Sequence, residues 1–230
     1  MKKPRPTRQR MHRIVELLET EYERPRWTRE TGGVGMLVAT ILSQHTSDKN
    51  SAAAFRQLWR RFRNWNAVAN APVEEIERHI RVSGLSRLKA PRIRSILRAI
   101  REEHGKIDIE FLAGWPAGRA MEYLLKFKGV GPKTAACVLL FAFGMAVFPV
   151  DTHIHRIAQR LGLVSSRATA EQTQERLLPL IEPRDCHALH IMLIAHARQT
   201  CRASSPKCGA CVLRRMCPSR DRVILVVGRR

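Results

Sequence analysis

The sequence predicts an all-α protein. Three observations carry that reading. Apolar residues recur at helical spacing through most of the chain, several of these stretches open on Pro, Ser or Asp and close on Gly, and no segment reads convincingly as a sheet strand. "RMHRIVELLETEY" sets Met11, Ile14, Val15, Leu18 and Tyr22 on one face. "VGMLVATILS" is apolar all round, as a fully buried helix is. "SAAAFRQLWRRF", "PVEEIERHIRVSG", "APRIRSILRAIREEHG" and "PAGRAMEYLLKF" continue the series, followed by "PKTAACVLLFAFG", "DTHIHRIAQRLG", "ATAEQTQERLLPLI" and "CHALHIMLIAHARQTC". About ten helices are expected from these segments. "RVILVVG" near the end reads as a short strand or an apolar tail, and "KKPRPTRQR" at the start as a mobile basic arm.

With 230 residues, 44% of them hydrophobic, the chain has material for one large or two small cores. Lysine plus arginine number 41 against 20 acids, a formal charge of +21. Such a surplus points to a polyanionic partner, nucleic acid or an anionic membrane surface. Arginine dominates the cations, and its planar fork suits phosphate. The basic N-terminus leads into no continuous apolar segment, so it does not read as a secretory signal. The longest apolar run contains Gly and Pro and is too short to span a bilayer comfortably. A cytoplasmic protein is expected, with no membrane association.

"CRASSPKCGACVLRRMC" places Cys201, Cys208, Cys211 and Cys217 at the spacing C-x6-C-x2-C-x5-C. Disulfides are disfavoured in a reducing compartment. Structural zinc usually takes two close cysteine pairs, and here only Cys208 and Cys211 are close. Four thiolates on one loop also suit an iron–sulfur cluster, one cysteine per iron. The residues alone leave the two open. Cys137 and Cys186 lie on apolar helical faces and read as core.

"LLKFKGVGPKTAACVLL" reads as helix, tight turn, helix. Gly129 and Gly131 permit unusual backbone shapes and leave the turn's amides uncovered, and Pro132 suits the first position of a helix. Free amides at a helix N-terminus attract phosphate, so Gly129, Val130 and Gly131 are candidate contacts to a DNA backbone; an ordinary interhelical turn has the same look. Lys133 falls in the first turn of the second helix. Locally it reads as a phosphate-binding lysine, but a neutral lysine amine is also a nucleophile able to form a Schiff base with a sugar aldehyde carbon. Asp151, directly before "THIHRIAQRLG", reads on its own as an N-cap. His153 and His155 are two apart and point to different faces.

Taken together, "GVGPKTA", "VDTHIHR", "HARQTC" and the four-cysteine loop resemble, in order and spacing, the endonuclease III family of DNA glycosylases, over a span from about Val34 to Cys217. The resemblance implies a helix-hairpin-helix glycosylase fold: a helical barrel domain over residues 27–145 and a discontinuous iron–sulfur domain. The latter comprises the N-terminal arm and helix, 1–26, with 146–218, followed by a tail, 219–230. It implies a [4Fe–4S] cluster on Cys201, Cys208, Cys211 and Cys217. It implies that Lys133 attacks C1′ of the damaged nucleotide, and that Asp151 supports base departure and proton transfer from the same cleft. The implied partner is double-stranded DNA with damaged bases or abasic sites, bound by a monomer associated with the nucleoid. The implied activity is a bifunctional N-glycosylase and abasic-site lyase on oxidised pyrimidines. A relative specialised for UV dimers or mismatches, and a non-catalytic iron–sulfur DNA-binding protein, are the rival readings.

"ILSQHTSD" and "SGLSRLKA" fall where the family has its DNA-penetrating loops. Family members commonly carry "LSAQATD" in the first, whereas this chain has "LSQHTSD". Gln44 and His45 in the first loop and Leu85 in the second are the candidate DNA contacts. Anchoring on Ser43 and Asp48 puts His45 rather than Gln44 at the position that fills the void left by a flipped base, with Leu85 entering from the other loop; a histidine that caps or packs within its own loop is the alternative.

Overall fold

The computed structural model describes residues 6–220, which include the helices α1 (Arg8–Glu19), α2 (Gly33–Ser43), α3 (Asp48–Phe62), α4 (Trp65–Asn70), α5 (Val73–Ile80), α6 (Ser86–His104), α7 (Ala117–Leu125), α8 (Pro132–Phe143), α9 (Thr152–Arg160), α10 (Ala170–Leu177) and α11 (Cys186–Gln199). No strand occurs among the described residues, so the all-α expectation holds. "RVILVVG" and the first five residues of the basic arm lie outside the described residues. The rest of the arm is not a free tail. Thr7 caps α1 by accepting a hydrogen bond from the Arg10 amide, and Arg8 to Arg10 form the helix's first turn.

The described residues fall into two compact units: residues 29–144 form one, and those described within 1–28 and 145–230 form the other. The contiguous unit is built on α2 and α8, both apolar nearly all round and buried along most of their length. They run antiparallel. Gly33 at the start of α2 lies so close to Phe143 at the end of α8 that a Cβ there would sit 2.6 Å from the ring. At the other end, Gln44 just past α2 bonds Thr134 in the first turn of α8. α3 and α6 pack on α2, α7 packs on α8, and α5 packs on α3 and α6.

Three boundaries differ from the sequence reading, each for a local reason. α3 starts at Asp48, because the Ser47 hydroxyl accepts from the Asn50 amide and opens the helix early. The short α4 was not expected; Asn64 caps it through the Ala67 amide. α6 starts at Ser86 rather than Ala90 and carries Pro91 inside it. Of "SGLSRLKA", only Ser83, Gly84 and Leu85 therefore precede the helix.

In the discontinuous unit, α1 buries Met11, Ile14, Val15 and Leu18, the face its spacing predicts, with Tyr22 buried just beyond. α1 and α9 both pack on α11. Cys137 in one unit and Cys186 in the other are buried, as core residues are. Burial pushes the Cys186 thiol up to about 11.

Candidate functional site

The hairpin turn joins α7 to α8. Its entry is fixed by packing around Tyr123, whose ring meets Phe111, Trp115 and Phe127 at 5.4, 5.9 and 5.4 Å between centroids. The turn closes with the Val130 amide donating to Phe127 O at 3.0 Å. Gly129 takes φ +90°, and a Cβ there would lie 2.8 Å from Arg92 Cδ. Gly131 is different: its φ is −94°, and a Cβ would meet nothing within 4 Å. Internal packing therefore demands glycine at 129 but not at 131, where the missing side chain keeps the start of α8 open to approach. Val130 is buried, so its side chain anchors the turn and only its backbone can face outward.

Pro132 is the first residue of α8, and no side chain caps the helix. The amides of the first turn are thus an anion site in the making. Lys133 is exposed in that turn, on a helix otherwise almost wholly buried, and no acidic residue shares the turn. A groove beside the turn is lined by Arg92, Ser95, Lys126, Phe127 and Lys128, with no acid in its lining. Arg92, which lies across Gly129, was not picked out from the sequence; one arginine among many carries no signal until the chain folds.

The two candidate wedges sit in turns of the same unit. His45 is exposed, with φ +53°. Leu85 is 50% exposed, with φ +50°, at the N-cap of α6. Left-handed backbone is costly for any residue with a Cβ, and such outliers cluster where binding holds them. Gln44, the neighbouring candidate, is half-buried and committed inward: its Nε2 donates to Gly129 O at 3.1 Å and to Thr134 Oγ1 at 3.2 Å. It ties the first loop to the hairpin.

In the discontinuous unit, Asp151 is the N-cap of α9, its Oδ1 accepting from the Ile154 amide at 2.8 Å. The cap uses one carboxylate oxygen. The segment before it is fixed by buried Val150 and by buried His190, whose Nδ1 lies 3.0 Å from Pro149 O. Further along α9, Arg156 donates to Cys201 O, and Arg160 donates to the carbonyls of Arg202 and Ala203 at 2.6 and 2.9 Å and to Cys201 Sγ at 3.3 Å. Arg10 of α1 donates to Leu161 O and Met216 O. One helix thus carries Asp151 at its start and holds the cysteine loop with its later turns.

Cys201, Cys208, Cys211 and Cys217 are half-buried free thiols that line one cavity with Arg160, Pro206, Lys207 and Arg214. Among the described residues, no group of three or more His, Cys, Asp or Glu side chains is arranged to hold a single metal ion. Burial pushes the Cys211 thiol up to about 11, and raises Cys217 as well. His196 lies behind Cys211, its Nε2 3.5 Å from Sγ and its Nδ1 3.0 Å from the Tyr22 hydroxyl. Burial lowers this imidazole to about 4, so it is neutral near pH 7. Tyr22 can donate to Nδ1 and leave Nε2–H for the sulfur. His153 and His155 make separate contacts, to Arg156 and Thr173 respectively.

No helix among the described residues is long and apolar enough to cross a membrane. Residues 38–183 match the model of the HhH-GPD superfamily base excision DNA repair proteins. The chain is 36% identical over 196 residues to endonuclease III of Thermotoga maritima, covering 84% of this chain and 86% of that protein. It is 40% identical over 189 residues to endonuclease III of Synechocystis sp., covering 81% of each. It spans only 58% and 12% of the lengths of two Arabidopsis thaliana relatives that it matches at 38% and 36% identity. Its fold superposes on that of a non-covalent endonuclease III–DNA complex with TM-score 0.81 and 27% identity, covering 96% of this chain and 99% of that one.

The two turn glycines are expected to differ. Gly129→Ala should destabilise the protein by about 1–2 kcal/mol, the cost of forcing a Cβ into left-handed backbone, and Gly131→Ala by clearly less. Chemical denaturation of both variants checks this; equal losses would mean that the turn geometry does not select glycine at 129.

Proposed function

The chain belongs to the HhH-GPD superfamily of base excision DNA repair proteins, and from that premise we propose a bifunctional DNA N-glycosylase and abasic-site lyase that removes oxidised pyrimidines from duplex DNA. The observation that carries the reading is Lys133: an exposed amine in the first turn of a buried helix, beside uncapped amides, with a basic groove at the start of the turn that leads into that helix. Amides and cations there suit a DNA backbone, and the amine suits a sugar carbon held next to that backbone. The two bacterial relatives at 36% and 40% identity are endonuclease III proteins, which supports the oxidised-pyrimidine substrate class.

In the proposed reaction, duplex phosphates rest on the amides of Gly129 and Gly131, with Val130 anchoring the turn between them, and His45 and Leu85 enter the duplex as the damaged nucleotide turns outward. Lys133 Nζ forms a bond to C1′. The N-glycosidic bond breaks, and the base leaves with its electron pair and gains a proton. Positive charge develops on the sugar during this step, and the Asp151 carboxylate stabilises it. Ring opening leaves a protonated Schiff base between Nζ and C1′. Loss of a C2′ proton then expels the 3′ phosphate, and water releases the sugar remnant from Lys133. Asp151 handles the protons of these transfers. Its cap to Ile154 fixes the carboxylate without consuming both oxygens.

We place a [4Fe–4S] cluster on Cys201, Cys208, Cys211 and Cys217. The fit rests on the donor set: four thiols round one cavity, one for each iron. When bound, the cluster supplies iron–thiolate bonds that fix the loop. The chain's own part is the set of arginines on the loop carbonyls and the His196 donor toward Cys211. The same loop presents Arg202, Lys207, Arg214 and Arg215.

Three outcomes are expected. Borohydride reduction in the presence of lesion duplex traps a covalent complex with the wild type and none with Lys133→Gln; undiminished trapping in the variant would assign the nucleophile elsewhere. Asp151→Asn, which retains a capping oxygen, binds DNA like wild type but loses roughly a hundredfold or more in single-turnover rate. Wild-type turnover in that variant would reduce Asp151 to a helix cap. Elemental analysis of anaerobically purified protein gives about four irons per chain, and stoichiometric zinc without iron would overturn the cluster.

A further inference from the structure

Lys89 is only 1% exposed, in the first turns of α6, and no sequence signal marks it. Its Nζ donates to Leu42 O at 2.7 Å and to Ser83 O at 2.9 Å. The two acceptors come from different places. Leu42 is in the last turn of α2, three residues before His45. Ser83 ends a short helical turn, two residues before Leu85. In both places the helix stops there, so these carbonyls belong to the group that a helix end leaves without backbone donors. Each chain then passes through left-handed backbone, at His45 in one case and at Gly84 and Leu85 in the other.

We propose that Lys89 is a positioning residue: its buried amine joins the two turns and sets the spacing between His45 and Leu85, so that both wedges meet the duplex as one tool. The inference rests on the glycosylase reading above, and it adds a residue that touches neither DNA nor the reacting atoms. A methionine of similar length would fill the same space without a buried polar group. The amine is therefore present for what it bonds, not for the volume it occupies. Burial alone lowers it to about 8, with no charged neighbour contributing. Loss of one proton leaves two N–H groups for two carbonyls, so the brace holds in either protonation state.

The test is Lys89→Met in the full chain, assayed by single turnover on one oxidised pyrimidine in two duplexes: fully paired, and flanked by mismatched pairs. Opening a paired stack needs both wedges, whereas the weakened site opens with less help. The variant should lose roughly tenfold or more on the paired duplex and stay within about twofold on the mismatched one. In a His45→Ala, Leu85→Ala background, adding Lys89→Met should change the paired rate little, because the wedges it aligns are gone. Equal loss on both duplexes, wild-type rates on both, or full additivity would overturn the proposal. If Lys89→Met does not fold, Lys89→Gln is read by the same ratio. Hydrogen exchange of the free protein separates this idea from the functional reading, since it needs no substrate. Amides in 43–47 and 83–86 should both exchange faster in the variant even if no lesion is processed; unchanged exchange in either turn would overturn the brace.

Discussion

The contiguous unit depends on the antiparallel packing of α2 against α8. Both helices are apolar nearly all round, so neither is stable until the other covers it. The close approach at Gly33 sets their contact at one end, and the Gln44 bonds to Gly129 and Thr134 set it at the other. Apart from Leu85, at the start of α6, everything proposed for chemistry or DNA contact in this unit hangs from the second end. Lys133 starts α8, the hairpin amides precede it, and the His45 turn follows α2. A buried helix pair is a rigid mount, and polar groups at its ends inherit that rigidity.

The discontinuous unit solves a similar problem with charge. α9 is buried along one face, begins at Asp151, and grips the cysteine loop through Arg156 and Arg160. Arg10 adds a strap from α1. The loop is short of apolar residues and needs outside support. Arginine forks aimed at carbonyls give part of it, and metal–thiolate bonds are the proposed remainder. Burial depresses the guanidinium of Arg156, Arg160 adds to that drop, and the Asp151 carboxylate opposes it.

The helices were legible because burial forces periodicity: the α1 face and the two apolar helices could be read directly. Less was legible at the boundaries. Single hydroxyl or amide caps, at Ser47 and Asn64, outweighed the apolar pattern and moved or created a helix start. Glycine 129 was legible as a turn residue, but its reason, the Arg92 stem across it, was not. Lys89 was hidden for a deeper reason. A lysine next to Leu88 in an arginine-rich chain reads as solvated, and only the fold turns Leu88 outward and Lys89 inward. The inward commitment of Gln44 was equally invisible. It leaves His45 rather than Gln44 exposed, at the position that alignment on Ser43 and Asp48 selects.

In the proposed reaction one protein releases the base and then cuts the strand. The most direct measurement uses a duplex with a single oxidised pyrimidine, with base release and strand scission followed separately in the same reaction. Both are expected, with the cut 3′ of the lesion and an unsaturated sugar remnant on that 3′ end. Base release that leaves the strand intact until alkali is added would contradict the proposed reaction.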